Sequence, residues 1–215
     1  MPGEASLGLS RARRIASDAS LSLSMTWGPV DEESAFMRIR NYRSGDIPSL
    51  AHIQQAAAQV DGVQPLSERD FEAWFAQPEL EPEHNVFVIT DDDESNEWGQ
   101  AGTLEGVEGE IVGYTVVQFR RSEHAYHFLC EGAVHPQHRG RSAGWSLLIS
   151  ALNRVRISAL EVAFEAEQQG YPIYFEALLP AHDVIAENMA AKCELAVTDE
   201  RTPEGMRLYR RELEL

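Results

Sequence analysis

A chain of 215 residues with 43% hydrophobic content can hold one domain of ordinary size with a full core. Its formal net charge of −17 argues against nucleic acid, whose backbone demands a basic face, and disfavours anionic membranes. No run approaches the roughly 18 apolar residues of a spanning helix, so a soluble, cytoplasmic protein is expected.

Residues 1 to 34 are rich in Ser and Ala, cluster Arg11, Arg13 and Arg14, and show no sustained period. No apolar core of a targeting segment follows, so a disordered amino-terminal extension is expected, with the folded domain over 35–215. Met37-Arg38-Ile39-Arg40 alternates as a first strand, which Ser44-Gly45-Asp46 ends. Asp46 is placed to cap a helix that carries Ile47, Leu50, Ile53, Ala57 and Val60 at helical spacing, with Pro48 tolerated in its first turn. Ser67-x-x-Asp70 reads as a capping box before Phe71, Trp74 and Phe75, aromatics expected in the core or in the wall of a pocket. Val86 to Ile89 reads as a buried second strand. Asp91-Asp92-Asp93-Glu94 then opens a long connection to a third strand, Ile111 to Phe119. The contiguous aspartates lack the spacing of a calcium loop, and no metal is expected.

A fourth strand, Tyr126 to Val134, runs into the most informative stretch, Cys-Glu-Gly-Ala-Val-His-Pro-Gln-His-Arg-Gly-Arg-Ser-Ala-Gly-Trp from Cys130 to Trp145. It reads as strand, anion-binding turn and helix. Glycines bare the backbone, a first helical turn offers unpartnered N–H groups, and Arg139 and Arg141 add charge. Neither Gly-x-x-x-x-Gly-Lys-Ser/Thr nor Gly-x-Gly-x-x-Gly is present, so two common phosphate loops are excluded.

Val134-x-Pro136-x-x-Arg139-Gly140-Arg141-Ser142-Ala143-Gly144 resembles the acetyl-coenzyme A signature of the GNAT-type N-acetyltransferase superfamily, Gln/Arg-x-x-Gly-x-Gly/Ala after a strand ending in Val-x-Pro. Ser142 departs from it, standing where the central glycine is expected. The resemblance implies a mixed, mostly antiparallel α/β sheet with helices on both faces, splayed between strands four and five. It implies acetyl-CoA as acyl donor and direct attack by a primary amine on a small molecule, an aminoglycoside or a protein. It implies that Val134 offers main-chain contacts to the pantetheine arm, and that Arg139, Gly140, Arg141, Ser142, Ala143 and Gly144 hold the pyrophosphate.

Downstream, an amphipathic run from Trp145 through Leu148, Leu152, Val155, Leu160 and Phe164 ends at Gly170-Tyr171-Pro172. It is long for the superfamily, and a kink or break is expected near Ile157-Ser158. Ile173 to Leu179 is a fifth strand, Asp183 to Cys193 a last helix and Met206 to Arg210 a closing strand. The register of the last helix puts Asp183 where the family carries a pantetheine-binding asparagine. It puts Ala190 where the family carries a tyrosine that protonates the leaving thiolate.

An amine is protonated at neutral pH, so transfer needs a base. Glu131, an acid in an otherwise apolar strand, is the first candidate, although strand parity points Glu131 and Val134 to opposite faces unless a bulge intervenes. Glu176 is the alternative, and His127 shares the side of Glu131. His135, His138 and His182 are expected as exposed loop residues, and Cys130 and Cys193 as reduced core residues. The expected partners are acetyl-CoA and an amine, the acid surface favouring a cationic acceptor by steering. A homodimer is left open. The rival is a degenerate module that binds acyl-CoA as a sensor without turnover.

Overall fold

The computed structural model describes residues 36–92 and 109–214. The amino-terminal extension expected over residues 1 to 34 and most of the acidic connection lie outside them. The elements in order are β1 Phe36–Asn41, α1 Ile47–Asp61, α2 Glu68–Phe75, α3 Pro82–Asn85, β2 Val86–Asp92, β3 Glu110–Arg121 and β4 Tyr126–Val134, followed by α4 Ala143–Gln169, β5 Ile173–Pro180, α5 Val184–Lys192, β6 Ala196–Val197 and β7 Met206–Glu212. The strands form one sheet in the order β1-β2-β3-β4-β5-β7-β6. Every pairing is antiparallel except β4 with β5.

Period-two alternation divides the side chains between two cores. Tyr114, Val116, Val86 and Val88 face α1 and α2, where Leu50, Ile53, Phe71 and Phe75 close over them. Phe128, Cys130, Phe175 and Ala177 face α4 and α5, against Leu148, Leu152, Val155, Ala159 and Ala190. Full burial of a side chain such as Phe71 or Val155 contributes about 1.5–3 kcal/mol. Phe71 and Phe75 are core, and Trp74 packs half-buried beside them. Cys130 and Cys193 are free and buried.

The capping box at Ser67 forms as expected, with Asp70 N–H donating to Ser67 Oγ and Ser67 N–H to Asp70 Oδ2. Asp46 behaves otherwise. It stands at the start of α1 but turns its carboxylate back to accept from Arg40 at 2.8 and 2.9 Å and from the Arg43 amide at 2.7 Å, and it caps no α1 amide. Asp91 and Asp92, read as loop, extend β2 and pair with β1.

α4 is continuous across Ile157-Ser158. No Gly or Pro interrupts it there, and Ala151, Leu152, Val155, Ala159 and Ala166 keep one face on the sheet throughout. Leu160 and Phe164, read as members of that face, are 65% and 71% exposed. Small Ala159 and Ala166 hold the core positions, so the large apolar residues beside them misled the period.

Candidate active site

The parallel ladder between β4 and β5 runs from Tyr126↔Ile173 to Cys130↔Ala177 and stops. Glu131 to Val134 continue pairing with Val116 to Gly113 of β3 but no longer with β5. Their amides and carbonyls on that side are therefore released from the sheet at the carboxyl end of the strand. Gly132 is needed within this stretch, because a side chain there would run into the Tyr114 carbonyl. The register is unbroken by a bulge, so Glu131 faces the α1 side and Val134 the α4 side. Val134 packs there against Ala143 and Leu147.

The chain leaves β4 through His135 and a short 3-10 turn at Pro136–His138, then reaches α4 through Arg139 to Ser142. Two residues of this turn are left-handed, Gly140 at φ 81° and Ser142 at φ 67°. The departure from the family pattern thus falls on a position whose backbone favours glycine, and Ser142 adopts that backbone at a cost of about 1–2 kcal/mol. Its side chain caps nothing, so the first-turn amides of α4 keep their donors for an external acceptor. Gly140 has open space where a Cβ would sit, and Gly144 faces Met189 at ordinary contact distance, 3.4 Å. Arg141 is more than half exposed, with Nη1 3.9 Å from Asp91 Oδ2.

Arg139 is placed differently from its neighbour. Its guanidinium donates twice to Asp61, at 2.7 Å each, and its Nε donates to the Val134 carbonyl at 3.2 Å. The hydrogen bond to Asp61 holds the guanidinium firmly charged. Asp61 was not singled out in the sequence. Its one signal is that a carboxylate in the last turn of a helix opposes the helix dipole and gains from an outside cation. The neighbouring histidines differ from the exposed loop residues expected. His135 stacks on His52 with ring centroids 5.7 Å apart, and burial, then His138 and His52, push it below the usual imidazole range. His138 Nδ1 lies 3.2 Å from Asp91 Oδ2. His182 alone of the three is exposed.

The two candidate bases sit on the same sheet face in opposite circumstances. Burial pushes the Glu131 carboxyl above the ordinary range, with Arg120 pulling weakly the other way. Glu131 also acts on Tyr114, whose phenol is raised first by burial and then by that charge, and which donates to Gln54 at 2.7 Å. Glu176, by contrast, accepts from Arg210 Nε at 2.6 Å and contacts His127 Nδ1 at 3.0 Å, while Arg210 also bridges to Glu200. Asp183 caps α5, taking the Ile185 amide at 2.8 Å and the Ala186 amide at 3.4 Å on the same oxygen, Oδ1. Ala190 is fully buried in the α4–α5 core.

Among the described residues the sheet is mixed, and its one parallel pair parts just before a glycine-bearing turn and helix, as the resemblance of the central motif implies. Residues 58–170, more than half of the chain, match the model of the Acetyltransferase (GNAT) family, and the chain belongs to that family. Solved structures share the fold at low identity. A GCN5-related N-acetyltransferase from Sphaerobacter thermophilus is 17% identical, with a TM-score of 0.57 over 78% of this chain and 49% of that one. This chain thus spans about half the length of the Sphaerobacter protein. The yncA protein of Salmonella typhimurium, solved with its cofactor acetyl-CoA, is 16% identical over 83% of this chain and 94% of its own, with a TM-score of 0.55. A ribosomal-protein-alanine N-acetyltransferase from Brucella melitensis is 14% identical over 82% and 99%, with a TM-score of 0.54. No curated protein is significantly similar. Among the described residues no helix is long and apolar enough to cross a membrane.

Proposed function

We propose that the protein transfers an acetyl group from acetyl-CoA to a primary amine by direct attack, within a folded domain spanning 35–215. The observation that carries this reading is the end of the β4–β5 ladder at Cys130↔Ala177, immediately before the left-handed turn and the uncapped start of α4. Acetyl-CoA supplies the activated thioester. The amides of Ser142, Ala143 and Gly144, with Gly140 opening the approach, fit a pyrophosphate, and Arg141 is free to move onto it. The backbone of Val134 borders the pantetheine arm, and Oδ2 of Asp183 is left for a donor on that arm. Arg139 serves chiefly by tying the turn to α1.

Glu131 takes the proton from the attacking amine, directly or through water, and burial raises its pKa, which makes it a stronger base than an exposed carboxylate. Glu176 is held by Arg210 and shapes the floor beside it. The net charge of −17 steers cationic acceptors, and small amines, aminoglycosides and protein amino groups all fit that description.

A second reading, an acyl-CoA sensor without turnover, is favoured by one observation. Ala190 is sealed in the core, so α5 brings no proton donor from the position where relatives carry tyrosine. Incubation with acetyl-CoA and a panel of amines, following release of free thiol, separates the two. Amine-dependent release supports transfer. Binding of CoA without release under any amine supports the sensor.

A further inference from the structure

The outer face of α4 has no part in the proposed site, yet it carries the kind of side chains that proteins normally cover. Ile157, Leu160 and Phe164 are 59%, 65% and 71% exposed and follow one another at helical spacing on the side opposite the sheet. Such a stripe on a helix whose inner face is already satisfied marks an interaction surface.

The charges around the stripe say what fits it. Arg156 and Glu167 are both exposed and lie on one flank, about three turns apart. Among the described residues neither side chain has an ion-pair or hydrogen-bond partner. On the other flank Arg154 donates to Asn85 and Glu165 pairs with Arg121, so those charges are already engaged. Basic residues precede the centre of the stripe and acidic residues follow it. A second copy of α4 laid antiparallel therefore brings Arg156 near Glu167 of its partner, twice, the two charges standing two residues, about 3 Å along the helix, out of register and within reach of each other's long side chains. A two-fold axis between Leu160 and Glu161 also sets Ile157 against Phe164 of the partner, with the two Leu160 side chains meeting beside the axis. A parallel copy would oppose like charges along the whole flank.

We infer that the outer face of α4 is a self-complementary surface through which two copies of this chain associate antiparallel about a two-fold axis. Isologous pairing of this kind is the commonest route to a closed dimer. A seam of one helix from each copy is at the small end of stable interfaces, so the association is concentration-dependent. Glu161 lies near the axis, where it meets its own copy, and this contact opposes association.

Sedimentation velocity of the full chain over a wide concentration range tests the inference. The wild type should pass from monomer to dimer. Leu160→Glu and Phe164→Glu should each raise the dissociation constant by about tenfold or more while circular dichroism and melting stay at wild-type values, both positions being exposed. Glu167→Arg should weaken the dimer, and adding Arg156→Glu to it should restore the association. Glu161→Gln should tighten it. A wild type that remains monomeric at every concentration, as it would if another part of the chain covered this face, overturns the inference. So does a dimer indifferent to both apolar substitutions, or a charge swap that fails to rescue. None of these outcomes depends on catalysis, so the dimer and the proposed activity can fail separately.

Discussion

Arg139 grips Asp61 through both terminal nitrogens, joining the turn before α4 to the last residue of α1. The pair is mostly screened from solvent, with side-chain exposures of 21% and 10%. A residue that the family pattern assigns to the pyrophosphate is therefore already engaged by the protein, and the turn is braced before any ligand arrives.

Asp61→Asn should separate the two roles of that arginine. Losing a charge-assisted pair costs about 1–3 kcal/mol, so the melting temperature should fall by several degrees. Arg139 is then released toward an incoming anion, so coenzyme A affinity, read by calorimetry, should hold or rise. A folded Asp61→Asn protein that no longer binds coenzyme A would show that the pair itself builds the site.

Ser142→Gly should stabilise the protein. It relieves about 1–2 kcal/mol of left-handed strain at φ 67°, and glycine's freedom in the unfolded chain returns roughly half of that. A rise in melting temperature is expected, with coenzyme A affinity equal or tighter. A lower melting temperature would mean that the serine side chain contributes more than its backbone costs.

Gly144 distinguishes space from charge. A methyl group there meets Met189 at ordinary contact distance, so Gly144→Ala should fold and bind. Gly144→Glu brings a carboxylate to the amides of the first turn, where it takes the place of the pyrophosphate. Thermal stabilisation by coenzyme A should vanish in the glutamate variant and survive in the alanine variant. Equal stabilisation in both would remove this turn from the binding site.

Much of this arrangement can be read from local sequence. The strand ending in Val134-x-Pro136, the two glycines and the helix beginning near Trp145 are contiguous, and each acts through backbone geometry that a single residue type dictates. The partners are a different matter. Asp61 reaches Arg139 across a long stretch of chain, and Arg210 reaches Glu176 only because β7 pairs with β5, so no local pattern announces either. Parity placed Glu131 and Val134 on opposite faces, and the unbroken register agrees. The α4 face was misread for a physical reason. Alanine fills the core positions 159 and 166, so size pointed outward to Leu160 and Phe164. The two-residue strand β6 is too short to carry a period at all.

Glu131 also leaves a mark on stability. Burial raises its pKa in the folded state, so its favourable contribution is complete below the unfolded value and is lost as pH rises through the folded one. Glu131→Gln removes the buried charge, and its melting temperature should exceed wild type at neutral pH. The gap should close in acid, below the ordinary carboxylate range. A variant less stable than wild type at neutral pH would mean that Glu131 is held charged by a favourable partner.

The most direct measurement is the rate of amine-dependent thiol release from acetyl-CoA across pH, for wild type and Glu131→Gln side by side. The substitution keeps the size of the side chain and removes its basicity. A general base contributes about 10²–10⁴-fold, so turnover near neutrality should fall by that order with coenzyme A affinity nearly unchanged. The deficit should shrink as pH rises and more of the acceptor is already neutral. A Glu131→Gln protein that turns over at the wild-type rate at neutral pH would contradict the assignment of Glu131 as the base.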